Sequence, residues 1–475
     1  MLKKLKREFN KNLIYAFIAQ IVSLTSSVVI SFMVPRILGV TEFAYWQLFL
    51  FYVSYINISR LGIIDGLYLK LGGMNINIID KNLLKTEWLV FIILQIIFAF
   101  FMFKICYFIT IDKNRMWVLL ICSICLILIN NNNYFGFILQ ALNKTSIYST
   151  SEIIYNMFWF IGIIVLYIVT KKSYKIIIIL YTIGQFCTGV YLMYKCKWLF
   201  KAKLINIKYI MKDIFENIKL GLPILIAMYA SMFIIGSARF IVDFKWGIKI
   251  FGAFSFALSL STFVLKFISQ ISMVLFPMLR HFNNENLRQI YKITKDTFSY
   301  ILPIILIIYL PITIFLNYWL PQYNNSIIYF GILLPICLFD GKMQLIYSTY
   351  FKVLKKGKAL LIVNIIASSV CFLLSIIFAN FTKDLKFIAI SINLAILVRC
   401  YLSEFYINKL LHIKTTYKQI ITEVILMFIF VIVVILFSSV NAVMIYILFY
   451  IIYCIFNFEE IKITLDILKK ILLKK

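Results

Sequence analysis

The chain has 475 residues, of which 63% are hydrophobic and 14% charged, and its formal net charge is +29. A soluble domain carries roughly 25% charged residues, so the composition excludes a water-soluble protein that hides its apolar surface in one core. The basic residues lie between long apolar runs, where they orient membrane spans, and nucleic acid is therefore not an expected partner.

The apolar runs predict an all-α polytopic membrane protein with about 14 transmembrane helices, because a bilayer core needs about 20 apolar residues per helix. The first six spans are expected at 12–34, 43–58, 87–109, 116–142, 147–169 and 174–194. Spans seven to twelve are expected at 220–241, 251–279, 298–320, 327–351, 359–381 and 387–407. A final pair is expected at 420–437 and 441–458.

Lys and Arg residues are distributed unequally between the two ends of these spans. One side, which includes both chain termini, collects 33 of them, and the opposite side collects 11. The positive-inside rule therefore places both termini in the cytoplasm. This orientation also requires an even number of spans.

The spans group into two similar bundles of six helices, followed by an extra pair. We predict an N-terminal bundle in 1–200, a basic cytoplasmic linker in 201–219, a C-terminal bundle in 220–412, and two additional helices with a basic tail in 413–475. Because six is even, the bundles have the same orientation and form a parallel pseudo-repeat. The extra pair has no charge in its interior, only Glu423 near the cytoplasmic edge, and is expected to lie outside the bundles' core.

The stretch 34–73 interrupts the first two spans with proline, glycine and charge. Pro35 is expected to end the first helix, because the residue before a proline avoids helical angles, and Gly39 is expected to supply the turn. The motifs of the stretch are Pro35-Arg36-Ile37-Leu38-Gly39, Phe43, Trp46, Leu61-Gly62, Asp65-Gly66 and Leu71-Gly72-Gly73. In order and spacing they resemble the opening of Wzx-type polysaccharide flippases, members of the multidrug/oligosaccharidyl-lipid/polysaccharide exporter superfamily.

This resemblance implies two six-helix bundles around a V-shaped central cavity, in a multi-pass protein of the bacterial cytoplasmic (inner) membrane. It also implies a polyprenyl-pyrophosphate-linked oligosaccharide as cargo, with the lipid tail remaining among the membrane lipids. A polysaccharide polymerase that acts on the same lipid-linked unit is an expected partner.

Lys266 lies near the middle of the expected span 251–279, too far from either end to reach water along the helix. Ser259, Thr262, Ser269 and Gln270 are three, four or seven residues away, so all five side chains share one helical face. This pattern favours a polar stripe that lines an aqueous cavity. The alternative is a lysine that pairs with a neighbouring carboxylate and stabilises helix packing.

Four arginines lie within or close to the apolar runs: Arg36, Arg60, Arg239 and Arg399. A pyrophosphate headgroup that crosses a region of low dielectric needs compensating cations. With the cargo that the resemblance implies, these arginines and Lys266 are the predicted substrate-binding cations. For Arg239 and Arg399 the alternative is an anchor at the membrane boundary.

Two aspartates are candidates for coupling to an ion. Asp340 lies at mid-span, where it either pairs with Lys266 or exchanges protons or sodium. Asp65 has the same two possibilities, with Arg60 and Lys70 as competing partners for its charge. Structural pairing and ion exchange both stay open for each residue.

The run Asn130–Asn133 places four amides in the middle of a span. Lipid cannot satisfy them, so some must bond to protein or to water. Asn131 is therefore a candidate for contact with sugar hydroxyls in a cavity. The alternative is that the run reflects the chain's general richness in asparagine.

The sequence contains no glycine-rich phosphate loop, no metal-ligand cluster and no serine–histidine–aspartate set. We therefore expect no enzyme activity, no metal site and no cofactor, with a proton or sodium gradient as the energy source. Together with the resemblance, this predicts a flippase that works by alternating access. The alternatives are a multidrug exporter of the same fold, whose usually cationic cargo needs an acidic cavity, and a membrane-embedded polysaccharide polymerase or ligase, which needs a larger outer loop.

Overall fold

The computed structural model describes residues 2–74, 76–109, 112–169, 173–279, 284–382 and 384–462, with the side chains of 2–10, 109, 270–279 and 284–286 left out. All regular structure in these ranges is helical, as predicted. The α-helices are α1 (Leu2–Tyr55), α2 (Ile63–Leu71), α3 (Lys81–Ile109), α4 (Lys113–Ala141), α5 (Thr145–Val169), α6 (Tyr174–Lys195), α7 (Lys197–Phe200), α8 (Ile207–Leu279), α9 (Asn284–Ile301), α10 (Tyr309–Trp319), α11 (Asn324–Leu333), α12 (Ile336–Lys342), α13 (Ser348–Val353), α14 (Gly357–Phe381), α15 (Leu385–Leu410), α16 (Tyr417–Leu436) and α17 (Ser439–Phe456). Short 3-10 helices occupy Ile56–Arg60, Leu302–Ile308 and Pro321–Tyr323, and a π-helix occupies Met343–Tyr347.

Eleven helices of the described ranges are long and apolar enough to cross a membrane, and the number is twelve if a pair bent by 43°, Pro321–Leu333 with Ile336–Val353, counts as one span. Two of the eleven are of double length: Lys11–Arg60 has 50 residues and Ile207–Ser269 has 63, where one span needs about 20. If each of these counts as two spans, the total equals the predicted 14. The multi-pass all-α fold is therefore confirmed, and the exact number of spans stays a prediction.

Both double-length helices are broken at a glycine. The prediction that α1 ends at Pro35 is wrong, because the helix continues through this proline and breaks at Gly39, where φ is 71° and ψ is 174°. Helix α8 breaks in the same way at Gly247, with φ 77° and ψ 179°. This combination of angles is essentially restricted to glycine. A Cβ at either position would meet no atom within 4 Å, so the backbone angle and not crowding requires glycine.

The chain divides into two compact units, Met1–Tyr229 and Ala230–Lys475. The boundary falls inside α8, which begins at Ile207, so part of the expected linker 201–219 is helical and belongs to the first unit. The second unit contains the remaining helices, including the final pair α16 and α17. Each unit thus contains one of the two glycine-broken helical segments.

In the first unit, the short helix α2 crosses the beginning of α8 through glycines. A Cβ at Gly66 would lie 2.6 Å from the carbonyl carbon of Asn217, and a Cβ at Gly221 would lie 2.9 Å from that of Gly62. Real Cβ atoms do not approach backbone this closely, so only glycine allows the two helices to touch. Small residues at such crossings are typical of membrane helices, because packing drives their association.

Replacing Gly66 with alanine should lower the midpoint of thermal unfolding, because the added methyl group meets rigid backbone and not a flexible side chain. Overpacking of this kind costs about 1–3 kcal/mol. The measurement is the unfolding midpoint of the purified protein in detergent. Gly357→Ala is the matched control, since a Cβ there meets no atom within 4 Å. Equal midpoints for the two variants would contradict the close contact between α2 and α8.

In the second unit, α17 packs against the end of α9 and the 3-10 helix Leu302–Ile308 that follows it, around Pro303. A proline has no N–H group, so the carbonyl four residues earlier, that of Ser299, loses its helical partner. Tyr453 donates a hydrogen bond of 3.2 Å to this carbonyl. Tyr446 donates to the Pro303 carbonyl at 2.9 Å and Tyr450 to another carbonyl of this segment. These bonds make α17 an integral part of the second unit.

Candidate functional site

Lys266 lies on α8 with an exposed side chain, while Ser259, Thr262 and Ser269 beside it are half-buried. Each of these three hydroxyls donates to a carbonyl of its own helix, at 2.8, 3.0 and 2.8 Å respectively. Their oxygens can still accept hydrogen bonds from a ligand. The structure therefore gives one face of α8 an exposed ammonium with accessible hydroxyls; the side chain of Gln270, expected on this face, is outside the described part.

Arg36 and Arg239 both lie shortly before a glycine break. Arg36 is exposed, three residues before Gly39. Arg239 is half-buried: its Nε donates to Ser255 Oγ at 3.1 Å, and its guanidinium carbon lies 5.1 Å from the centre of the Phe251 ring. Arg239 precedes Gly247 in α8, whereas Ser255 and Phe251 follow it. The side chain of Arg239 therefore connects the two segments of the broken helix. This contact gives Arg239 a structural role at the helix break.

Arg60 and Asp65 form a buried ion pair in the first unit. Arg60 Nη2 lies 3.1 Å from Asp65 Oδ1, and the guanidinium stacks over the ring of Phe137 at 5.3 Å. Lys70, the competing partner, pairs instead with Asp213. Arg60 was predicted to bind substrate, but its side chain is only 5% exposed and its charge is balanced within the protein.

Asp340 and Arg399 form the corresponding pair in the second unit. Arg399 Nη1 lies 2.9 Å from Asp340 Oδ1, and its Nε donates to Asn364 Oδ1 at 2.8 Å. Gln344 donates to the other carboxylate oxygen of Asp340 at 2.7 Å. The partner of Asp340 is therefore Arg399, where the sequence suggested Lys266. Both ionic groups also bond to amides, as expected of charges within a membrane protein.

Two further ion pairs of the second unit are buried, and the sequence reasoning missed both. Lys342 Nζ lies 2.5 and 2.6 Å from the carboxylate oxygens of Glu423, and Tyr401 donates to the same carboxylate at 2.9 Å. Lys295 Nζ lies 3.4 Å from Glu404 Oε1. Glu404 and Glu423 lie inside the expected spans 387–407 and 420–437, and this was the available signal that they need a cationic partner.

The four amides of Asn130–Asn133 bond to three other elements of the first unit: the 3-10 helix Ile56–Arg60, α3 and α6. The Nδ2 of Asn130, Asn132 and Asn133 donate at 2.8–3.1 Å to oxygens of Ser59 and Gln95, of Gln185, and of Asn57, respectively. Asn131 Oδ1 accepts a hydrogen bond of 3.0 Å from Trp88 Nε1. Successive residues of a helix point about 100° apart, so the run can reach different neighbours. Bonding of some amides to protein or to water was expected, and Asn131, the predicted sugar contact, accepts one such bond from protein.

A cavity of about 100 Å³ lies among α4, α5 and α6 of the first unit. Its polar lining includes Asn132, Asn133, Tyr148, Glu152 and Gln185. The sequence reasoning passed over Glu152, although a lone carboxylate in the apolar run 147–169 was a visible signal. The cavity therefore joins an intramembrane acid to several amides and hydroxyls.

No family model matches the sequence, and no curated protein does. Among solved structures, lipid II flippase MurJ in an inward closed conformation is similar to this chain with a TM-score of 0.68 and 16% identity, over 95% of this chain and 99% of that one. An inward-facing multidrug resistance MATE family transporter of the MOP superfamily is similar with a TM-score of 0.62 and 13% identity, over 85% and 98% of the two chains. An outward-facing one has a TM-score of 0.51 and 14% identity, over 84% and 95%. At these identities the likeness establishes the fold.

Proposed function

We propose that this protein is a flippase that moves a polyprenyl-pyrophosphate-linked oligosaccharide from the cytoplasmic to the outer leaflet of the bacterial cytoplasmic membrane. The observation that carries the proposal is the similarity of nearly the whole chain to nearly the whole of a lipid II flippase. The match to the MATE transporter covers 85% of this chain, whereas the match to the lipid II flippase covers 95%. Alternating access, with one helical bundle rocking against the other, is the mechanism proposed.

The charge of Lys266 supports an anionic cargo. A diphosphate loses strong hydration when it enters a low-dielectric region, and an ammonium or guanidinium compensates through charge-assisted hydrogen bonds. Arg60 and Arg399 are buried in ion pairs with aspartates, and the proposal relies on Lys266 and Arg36, whose side chains are exposed. The hydroxyls beside Lys266 suit the first sugar of the cargo.

The two alternative functions, multidrug export and glycosyl transfer, would each require a feature of their own. A multidrug exporter for cationic compounds would need an accessible acidic face, whereas the accessible charge at mid-span of α8 is positive. A polymerase or ligase would need a site for glycosyl transfer, and the similar solved structures are transporters. A proton or sodium gradient is the proposed energy source, and a polysaccharide polymerase is the proposed partner that consumes the flipped unit.

Deletion of the gene should abolish surface polysaccharide and cause the lipid-linked repeat unit to accumulate on the cytoplasmic side of the membrane. The measurements are staining of surface polysaccharide and protection of the lipid-linked unit from a glycan-modifying reagent added to intact spheroplasts. If the deletion strain instead made normal surface polysaccharide and became more sensitive to cationic dyes, the result would favour a multidrug exporter. Single repeat units accumulating in the outer leaflet would indicate a polymerase.

A further inference from the structure

The 7 residues Leu302–Ile308 form a 3-10 helix in the middle of a 33-residue apolar segment, Leu287–Trp319. Runs of 3-10 helix longer than about four residues are uncommon, and a 3-10 run inside a longer helix often marks a hinge. Pro303 lies at the start of the run and Pro311 follows it, and neither residue has an N–H group to donate. The run therefore joins α9 to α10 through backbone that does not follow the α-helical hydrogen-bond pattern.

Two carbonyls just before this run lack a backbone donor. In an α-helix the N–H of residue 303 would bond to the Ser299 carbonyl, and in a 3-10 helix it would bond to the Tyr300 carbonyl. Proline removes this N–H in both cases. Tyr453 donates to the Ser299 carbonyl at 3.2 Å, and Tyr450 donates to the Tyr300 carbonyl at 2.8 Å. Two hydroxyls of α17 thus replace the missing backbone donor.

The two tyrosines differ in the form of the run that they stabilise. If the run were α-helical, the Ile304 N–H would bond to the Tyr300 carbonyl, whereas the Ser299 carbonyl would still lack a donor. The Tyr453 bond is therefore needed in both forms. The Tyr450 bond is needed only in the 3-10 form, so it favours that form over the α-helical one.

A change between the two forms would alter the length of the span. A 3-10 helix rises about 2.0 Å per residue and an α-helix about 1.5 Å. Conversion of the 7 residues to α-helix would therefore shorten the run by about 3.5 Å. Displacements of this size are typical of helix shifts in switching proteins.

The run packs close to two of the charged residues described above. A Cβ at Gly341 would lie 3.6 Å from Leu302 Cδ1 and 3.4 Å from Ile268 Cδ1, so both side chains pack beside this point of α12. Ile268 follows Lys266 by two residues in α8, and Asp340 immediately precedes Gly341. A change in the length of the run would thus act on the helices that carry Lys266 and Asp340.

We propose that Leu302–Ile308 is a reversible hinge of the second unit, which switches between 3-10 helix and α-helix, and that Tyr450 of α17 is the residue that favours the 3-10 form. The last helix thus controls the length of another span. The hinge itself is a property of the second unit, whereas its effect on transport rests on the proposed flippase function.

The test measures the distance between spin labels at Gln289 of α9 and Tyr318 of α10, both exposed, in the purified full-length protein. The labels are attached through unnatural amino acids, which leaves the 9 cysteines unchanged. Tyr450→Phe should shorten the mean distance by up to about 3.5 Å. Tyr134→Phe is the matched control, because it removes a buried hydroxyl that donates to a carbonyl of the first unit at 2.9 Å, and it should leave the distance unchanged.

Two further variants keep the test decisive if Tyr450→Phe folds poorly. Tyr453→Phe removes a bond that both forms need, so it should leave the distance unchanged. Pro303→Ala removes the ring that clashes with the Ser299 carbonyl in an α-helix, so it should shorten the distance while Tyr450 is intact. An equal shortening in Tyr453→Phe would overturn the selective role of Tyr450, and an unchanged distance in both Tyr450→Phe and Pro303→Ala would overturn the hinge.

Flipping by the same variants in proteoliposomes tests the effect on transport. Loss of one hydrogen bond shifts a two-state equilibrium about twofold to tenfold. Because transport through a switching hinge needs both forms, the flipping rate of Tyr450→Phe should fall by that factor, and the rate of Tyr134→Phe should not. A shortened distance with a wild-type rate would reject the link to transport. If the wild type flips no lipid-linked cargo while Tyr450→Phe still shortens the distance, the flippase is rejected and the hinge is retained.

Discussion

Lys266→Ala should fail to restore surface polysaccharide to a deletion strain, although the variant protein reaches the membrane at normal levels. The side chain is exposed, so its loss should lower the stability of the protein only slightly. It removes a charge-assisted contact to a phosphate, which is worth about 1.5–3 kcal/mol. Since about 1.36 kcal/mol changes a rate tenfold, the rate of flipping should fall about tenfold to a hundredfold.

Two variants separate the charge of Lys266 from the shape of its side chain. Lys266→Arg keeps a cation that binds phosphate well and should restore most of the polysaccharide. Lys249→Ala removes another exposed lysine of α8, close to the glycine break and away from the middle of the span, and should complement fully. Full complementation by Lys266→Ala would remove this residue from the mechanism.

Lys342→Met should be the most destabilising of the single substitutions proposed, because it leaves Glu423 charged, 3% exposed and bonded only to Tyr401 among the described partners. Breaking a buried pair from one side costs about 3–5 kcal/mol. The measurement is the free energy of unfolding in mixed micelles. The double variant Lys342→Met/Glu423→Leu should recover most of the loss, since apolar replacement of a whole buried pair is often neutral.

The exposed pair Lys386–Asp384 provides the control for the substitutions at Lys342 and Glu423. Its atoms are 3.9 Å apart, with side chains 36% and 43% exposed, and such pairs contribute about 0–1 kcal/mol. Lys386→Met should therefore leave stability nearly unchanged. A Lys342→Met variant as stable as Lys386→Met would show that α12 and α16 are not held together by the buried pair.

Local features of the chain were predictable from the sequence. The apolar runs are long enough to form spans by themselves, so the helical membrane fold follows from hydropathy. The break at Gly39 follows from the backbone angles that glycine can adopt. The end expected at Pro35 was wrong because membrane helices tolerate proline where neighbouring groups satisfy the freed carbonyl. It was also predictable that some amides of Asn130–Asn133 bond to protein or to water, since lipid cannot satisfy them.

Partners distant in sequence were not predictable. Asp340 and Arg399 are 59 residues apart and Lys342 and Glu423 are 81 apart, and no local pattern indicates which cation meets which acid. The cavity around Glu152 likewise depends on three helices whose packing leaves a gap beside Gly189.

The sequence by itself determined that this is a helical membrane protein with charges inside its spans, because hydropathy and helical periodicity act over neighbouring residues. Only the tertiary structure decided which of those charges are neutralised. An ion pair forms wherever packing brings two side chains within a few ångströms, and that packing is set by the contacts of entire helices. Lys266 stays exposed for this reason, while Arg60 and Arg399 are buried in ion pairs with aspartates.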